Sequence, residues 1–391
     1  MSKTDVIIIG AGASGMMCAI ESAKRGRAVI VLDHASKTGK KIRISGGGSC
    51  NFTNTSISHE NYLSGNPHFC KSALSRFTPD DFITMLQKHG VEYEEREEGQ
   101  LFCAGNSEGI TRMFQKECDD SGVDIILDCQ VQDVKKTGFF IVSTNQGVFE
   151  SGSLVIATGG LSYPQIGASD FGYNIAKQFG LGVTELKPAL VPLIFSKKDR
   201  EIFGELSGVS IDATVKCSNM EFRGSILFTH RGLSGPAILQ VSSYWKKGDN
   251  IVIDLLPDVD LYNIFIERKL GKTRIDMHNL LSEYLPSRLA KNWSISNIQS
   301  KPVIQYNEKE LKDIAYMLHN WELQPEFTEG YKIAEVTLGG IDTNELSSKT
   351  MESRKVKGLY FTGEVIDVTG WLGGYNLHWA WASGFVAGQY V

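Results

Sequence analysis

Val6–Ile9 is a continuous β-branched run that feeds directly into Gly10-Ala11-Gly12-Ala13-Ser14-Gly15, and no other junction limits the fold as tightly. An uninterrupted apolar strand of this kind suits a parallel sheet covered on both faces. A helical stretch follows to about Lys24, Gly26 supplies a stop, and Ala28–Leu32 reads as a second strand closing on Asp33. Strand, glycine turn, helix, strand and terminal acid, with Asp33 eighteen positions after Gly15, make one dinucleotide-binding βαβ unit. The glycines let the backbone approach a pyrophosphate seated on the helix start, and Asp33 can accept a hydrogen bond from the adenosine ribose.

The 391-residue chain predicts two or three domains. At 42% hydrophobic residues and a net charge of −5, it has too much apolar material and too little charge for a disordered chain. No run approaches the roughly 18 apolar residues of a membrane span; Ile251–Leu256, for instance, is interrupted by Asp254. Lys3 ahead of Val6–Ile9 superficially resembles a secretion signal, but Gly10, Gly12 and Gly15 break the apolar core. Seven scattered cysteines without a CxxC pair fit reduced thiols in a cytoplasmic protein. With no HExxH and no His-rich cluster, no metal is expected. Nor does the mildly acidic balance point to nucleic acid, although it leaves room for a local basic face.

Further along, Thr78 can cap a helix to about Lys88, and a second helix spans about Glu108 to Asp120. Phe139–Ser143 and Gly147–Glu150 flank a turn and suggest a β-meander, followed by a separate buried strand ending in Thr158-Gly159-Gly160. Gly358–Glu364 repeats that strand-to-glycine logic, which belongs on the ligand edge of a doubly wound sheet. Between about Lys187 and Lys332 the texture changes. Short strands run to about Leu256, then a helical pattern to Pro325, in which Asn307 and Glu310 make a capping-box start. This insertion has 19 basic against 18 acidic residues, so it is less acidic than its host. Arg268, Lys269, Lys272 and Arg274 are its densest basic stretch, either a solvated face or a contact for RNA or another anion.

Two segments look chemical. Lys40, Lys41 and the run Ser45-Gly46-Gly47-Gly48-Ser49-Cys50-Asn51-Phe52-Thr53-Asn54 make a poor core but a good cradle. Its amides can approach a flat or phosphorylated ligand while short side chains hydrogen-bond it. Gly363-Glu364-Val365-Ile366-Asp367 and Gly373-Gly374-Tyr375-Asn376-Leu377-His378 form the other, with a glycine pair opening a helix whose free amides suit an electron-rich ligand edge. A reduced isoalloxazine is negative at N1 and O2, and Glu364 can bind a ribityl hydroxyl. Trp371, Trp379 and Trp381 read as packing residues.

SGGGxCNxTN combined with GEVxDxxGxxGGYN, together with the Gly10–Gly15 turn and Ala157–Gly160, resembles the bacterial YhiN-like flavoproteins, also called BaiN-like or aminoacetone-oxidase-like. The resemblance runs essentially end to end. It implies an α/β FAD-binding Rossmann-like fold of the two-dinucleotide-binding-domains type, interrupted by a β-barrel-like domain and a small helical insert. The implied boundaries are 1–187 and 341–391 for FAD, 188–256 and 326–340 for the barrel-like domain, and 257–325 for the insert. The implied FAD contacts are Gly10, Gly12, Ala13, Ser14 and Gly15; Asp33, His34 and Val131; Lys40, Lys41, Ser45, Gly46, Gly47, Gly48, Cys50, Asn51, Thr53 and Asn54; Thr158, Gly159 and Gly160; and Gly363, Glu364, Asp367, Gly373, Gly374, Tyr375, Asn376 and Leu377. At Ser49 the family usually has Arg, so a cation beside flavin or substrate is missing here.

Tyr62–Ser64, Asn66–Leu74 and Gly99–Cys103 resemble the proteobacterial branch, associated with reduction of a large-subunit ribosomal RNA uridine to dihydrouridine. The expected function is therefore FAD-dependent reduction of a conjugated C=C by hydride from flavin N5, with that uridine the leading substrate. A small-molecule enzyme acting on enones, steroid-like acids or amines and a non-catalytic flavin sensor are the alternatives. A neighbouring acid must supply the second hydrogen; Cys50, Cys103, Tyr375 and His378 are the candidates. Without a second GxGxxG unit, NAD(P)H, if it is the donor, has to dock transiently over the flavin; oxygen or another donor–acceptor pair is the alternative.

Overall fold

The computed structural model describes residues 2–391. The chain divides into two compact units, one reaching Pro188 and resuming at Glu335–Val391, the other Ala189–Ala334.

The first unit is built on β1 (Ser2–Ile9), α1 (Ala13–Lys24) and β2 (Val29–Leu32). Then come α2 (Lys40–Ile44), β3 (Asn51–Asn54), α3 (Pro79–Lys88), β4 (Gln100–Cys103), α4 (Glu108–Asp120) and β5 (Asp124–Ile126). The strands β6 (Val131–Lys136), β7 (Phe140–Thr144) and β8 (Gly147–Ile156) follow, and β9 (Leu359–Phe361) and α5 (Tyr375–Gly388) complete it after the chain returns. β1 pairs in parallel with β2 (Val6 opposite Val29) and with β8 (Ile9 opposite Ile156), while β5 extends the sheet beyond β2. Val6, Ile7 and Ile8 are fully buried, as strands covered on both faces must be.

Gly147–Glu150 and Leu154–Ile156 are not two strands but the single ten-residue β8. Ser151-Gly152-Ser153 looks like a turn in sequence, yet β1 holds it extended along its length. On β8's other edge the partner changes from antiparallel β7, opposite residues 147–151, to parallel β9, opposite 154–156.

α5 is apolar almost all round and therefore sits inside. Trp381 stacks on Phe114 at 4.9 Å and donates to the Phe52 carbonyl; Trp379 donates to the Gly363 carbonyl. Both are packing residues with a satisfied N–H. α3 begins at a reciprocal box in which Thr78 and Asp81 bond each other's backbone N–H. Where α1, α3 and α4 meet, the nearly buried Glu117 carboxylate takes Lys24 at 2.8 Å, Lys88 at 2.6 Å and His89 Nε2 at 2.6 Å. Burial is the largest influence on it and pushes its pKa up, but these hydrogen bonds and charges outweigh it and hold it at about 2.

The second unit has a sheet of seven short strands, all antiparallel, in the order Trp321–Leu323, Ile251–Asp254, Ser210–Cys217, Met220–Phe228, Gly232–Ser234, Leu193–Ile194 and Phe327–Thr328. Helices Leu261–Leu270, Met277–Leu281, Ser287–Asn297 and Glu308–His319 are inserted between two of its strands around a core including Phe265, Leu289, Trp293 and Leu311. The last helix starts at the Asn307–Glu310 capping box.

Candidate functional site

The Gly10–Gly15 turn joins β1 to α1 and is shaped by close approach. A β-carbon on Gly15 would lie 1.9 Å from the Gly10 carbonyl oxygen. Gly12 is the helix N-cap, without a side-chain cap, and the space beside its Cα is open. The first amides of α1 are thus free for an anion. Asp33 secures this turn: one carboxylate oxygen accepts from Ala11 N at 2.6 Å and the other from Ala35 N at 2.7 Å. Each oxygen keeps a lone pair for a ribose. His34 is exposed beside Asp33, and the Cys129 amide donates to the Asp33 carbonyl, bringing Val131 to the same edge.

The second segment is a run of left-handed turns. Gly46, Gly47 and Gly48 have φ of +56°, +66° and +94°, and Gly47 and Gly48 face open space. Ser45 donates to the Ile42 carbonyl, and Ser49 weakly to that of Gly105. Cys50 also lies in the left-handed region, at φ +51°, an uncommon state for a non-glycine residue.

The third segment closes on the second. Gly374, at φ +95°, sits so near β3 that a β-carbon would lie 2.3 Å from the Thr53 carbonyl oxygen. Asn54 donates to the Gly373 carbonyl, and the Asn51 side chain with its amide reoriented accepts from Gly374 N at 3.2 Å. Asn376 ties its side chain to Gly370 and Trp371. α5 starts at Gly374 with no side-chain cap, so its first amides are also free.

Gly363 lies beside Ser14: a β-carbon there would be 2.6 Å from Ser14 Oγ. Glu364 forms an ion pair with Lys41 at 2.5 Å and accepts from Thr337 N at 2.9 Å, so its carboxylate is already engaged. Lys40 reaches the Ile166 carbonyl. The three glycine-lined segments, far apart in sequence, are therefore joined within one unit. Thr158 Oγ is buried without a partner among the described residues at the end of β8, beside Gly159, whose Cα also faces open space. Open glycine faces, two uncapped helix starts and an orphaned hydroxyl suit a phosphorylated, hydrogen-bonding cofactor. The residues present fit FAD.

The four proton-donor candidates separate. Cys50 and Cys103 are buried, with thiols pushed up by burial to about 12 and about 11. His378 is fully buried, its Nδ1 bonded to Thr53 Oγ at 2.8 Å and its Nε2 to the Phe77 carbonyl at 3.1 Å. Burial lowers its pKa to about 4, so it stays a neutral structural ring. Thr53 and Asn54 likewise spend their side chains inside the protein. The Tyr375 phenol makes no hydrogen bond among the described residues, and burial, with the charge of Glu98, raises its pKa. Asp367 accepts from Gly65 N and is raised by burial.

Sequence reasoning missed Tyr163, Glu335 and Thr337. Tyr163 sits at φ +62° and Glu335 hydrogen-bonds it; burial raises the Glu335 carboxyl against the pull of Tyr163 and Lys41. Thr337 Oγ accepts from Leu161 N at 2.8 Å. The run after Gly160 hinted at Tyr163; nothing local marked the other two.

Residues 4–390 match the model of the HI0933-like protein Rossmann domain. The chain belongs to this family. A ribosomal RNA dihydrouridine synthase of Escherichia coli (strain K12) is 48% identical over 393 residues, covering 100% of this chain and 98% of that protein. Its namesake in Haemophilus influenzae (strain Rd) is 44% identical, covering 97% and 96%. A 3-dehydro-bile acid delta(4,6)-reductase of Clostridium scindens is 30% identical, covering 98% and 97%. Among solved structures, the 3-ketosteroid-delta4-(5alpha)-dehydrogenase of Rhodococcus jostii RHA1 superposes with a TM-score of 0.51 at 14% identity, covering 99% of this chain and 96% of that one; at that distance the likeness shows the fold alone. This HI0933-like chain is an FAD-binding oxidoreductase. No described helix is long and apolar enough to cross a membrane, and no described cluster of His, Cys, Asp or Glu could hold a metal.

Proposed function

We propose that this chain reduces a uridine of ribosomal RNA to dihydrouridine. What carries the reading is the pair of relatives of that name, 48% and 44% identical along nearly their whole lengths. Bound FAD supplies a hydride at N5, which uracil accepts at C6, the carbon conjugated to its C4 carbonyl. The protein holds the base in place and provides the proton for C5.

Gly12 and the first turn of α1 would take the pyrophosphate; Asp33, His34 and Val131 would take the adenosine. Lys41, held in place by Glu364, would meet the ribityl chain, and the amides opening α5 would be available to the N1–O2 edge. Tyr375, at that helix start with an unengaged phenol, is the proton donor. NAD(P)H is the electron donor, docking transiently.

The test is to express the chain in an Escherichia coli strain lacking the related synthase and measure dihydrouridine in ribosomal RNA by mass spectrometry. Restored dihydrouridine supports the proposal; a folded, yellow protein that leaves the RNA unmodified refutes it. The bile-acid relative supports a second reading, reduction of a small enone. Anaerobically reduced protein offered unmodified rRNA and an enone in parallel decides between them.

A further inference from the structure

The insert holds a corner that the flavin site does not use. Residues 261–306 have seven basic residues against three acidic ones, net +4 in a chain of net −5. Two of these cations are spent locally at the corner itself: Arg268 pairs with Glu283 at 2.6 Å, and Lys269 donates to the Tyr306 carbonyl at 2.8 Å. Lys272 and Arg274 are exposed and make no ion pair or side-chain hydrogen bond among the described residues. Between the two pairs stands Leu270, 76% exposed, more than any other large apolar side chain described. The corner has a defined shape. Gly271 N, Lys272 N and Thr273 N bond back to the carbonyls of Glu267, Lys269 and Arg268, and Lys272 is held at φ +55°.

A bare leucine flanked by two unspent cations matches a chemistry in which an apolar side chain packs on an unstacked base and cations take the adjacent phosphates. A membrane-surface helix would instead present an apolar stripe. Here Leu261 and Phe265 of the helix that ends at Leu270 are fully buried, Ile264 and Ile266 are half-buried, and of its aliphatic side chains Leu270 alone is exposed. Reduction at uracil C6 needs the flat face of the base, which stacking covers, so the enzyme must hold RNA that is locally opened. We propose that the Leu270–Arg274 corner is a docking element for structured RNA, with Lys272 and Arg274 on phosphates and Leu270 against an exposed base. The inference rests on the ribosomal RNA reading above.

The FAD-loaded full chain, K272E/R274E and L270S are compared by filter binding to unmodified large-subunit rRNA transcripts between about 50 and 200 mM salt. K272E/R274E should weaken binding at least about tenfold and flatten the plot of log affinity against log salt by about 1.5. L270S should weaken it several-fold with that slope unchanged, and FAD content and thermal midpoint should match wild type in both. Wild-type binding that both variants reproduce in affinity and slope overturns the docking element alone. A wild type that neither binds nor reduces rRNA removes the function and the corner together. Vesicles of phosphatidylcholine and phosphatidylserine form the second arm: variants that lose vesicle binding but keep RNA binding assign the corner to a membrane and overturn the proposal.

Discussion

Tyr375 and Gly374 are neighbours whose side-chain chemistry points opposite ways. The phenol of Tyr375 keeps its proton because burial disfavours the phenolate. Y375F removes that proton and little else. Formation of dihydrouridine should fall by about a hundredfold or more, while FAD content and the rate of flavin reduction stay unchanged; rapid-reaction absorbance separates the two half-reactions. At Gly374 it is the missing side chain that matters. G374A brings a β-carbon to 2.3 Å from the Thr53 carbonyl oxygen at a φ of +95°. Backbone strain alone is of order 1–3 kcal/mol, and the clash must move β3 or α5. The variant should purify with depleted FAD, read as the ratio of visible to ultraviolet absorbance, and with a lower urea midpoint.

At the scale of elements, Glu117 and His378 set the acid limit of the first unit. The folded carboxyl of Glu117 lies near 2, below its ordinary 4.5, so its contribution is complete above about 4.5 and disappears as pH falls toward 2. His378 is held near 4 against an ordinary 6.5, so folding is weakened as pH drops from about 6.5 toward 4, where the unfolded ring gains a proton that the folded one refuses. Urea midpoints measured down the pH scale should fall in these two windows, and E117Q should remove only the lower one.

These same residues show how far sequence could be read. The βαβ unit, the Thr78 cap and the Glu108–Asp120 helix are legible because each depends on neighbours within a turn or two. Thr53 meets His378 across 325 positions and Lys41 meets Glu364 across 323, with no local pattern to announce either bond. Asn54 reads in sequence as a ligand for the cofactor, and its side chain also donates to the Gly373 carbonyl, because short polar residues serve cradle and brace equally well. β8 was misjudged for the opposite reason: its small polar middle imitates a turn, and only its pairing with β1 overrules that.

For the molecule as a whole, Ala189–Ala334 is one uninterrupted segment with its own sheet, helices and core. Expressed alone, it should fold cooperatively and remain colourless, since the glycine segments assigned to FAD lie outside it. Adding FAD to the cofactor-stripped full chain should raise the midpoint of the first unit, by about 2.7 kcal/mol of stabilisation at a hundred times the dissociation constant. A calorimetric trace in which the isolated segment fails to melt as one transition would contradict this division.

All seven cysteines are buried, and none is in a disulfide. A reduced flavin exposed to air can pass its electrons to dioxygen and release hydrogen peroxide beside the protein that carries it. Thiols out of reach of solvent are slow targets for that oxidant. A bulky disulfide reagent should therefore titrate almost no sulfur in the native protein and all seven after denaturation, even following many aerobic turnovers.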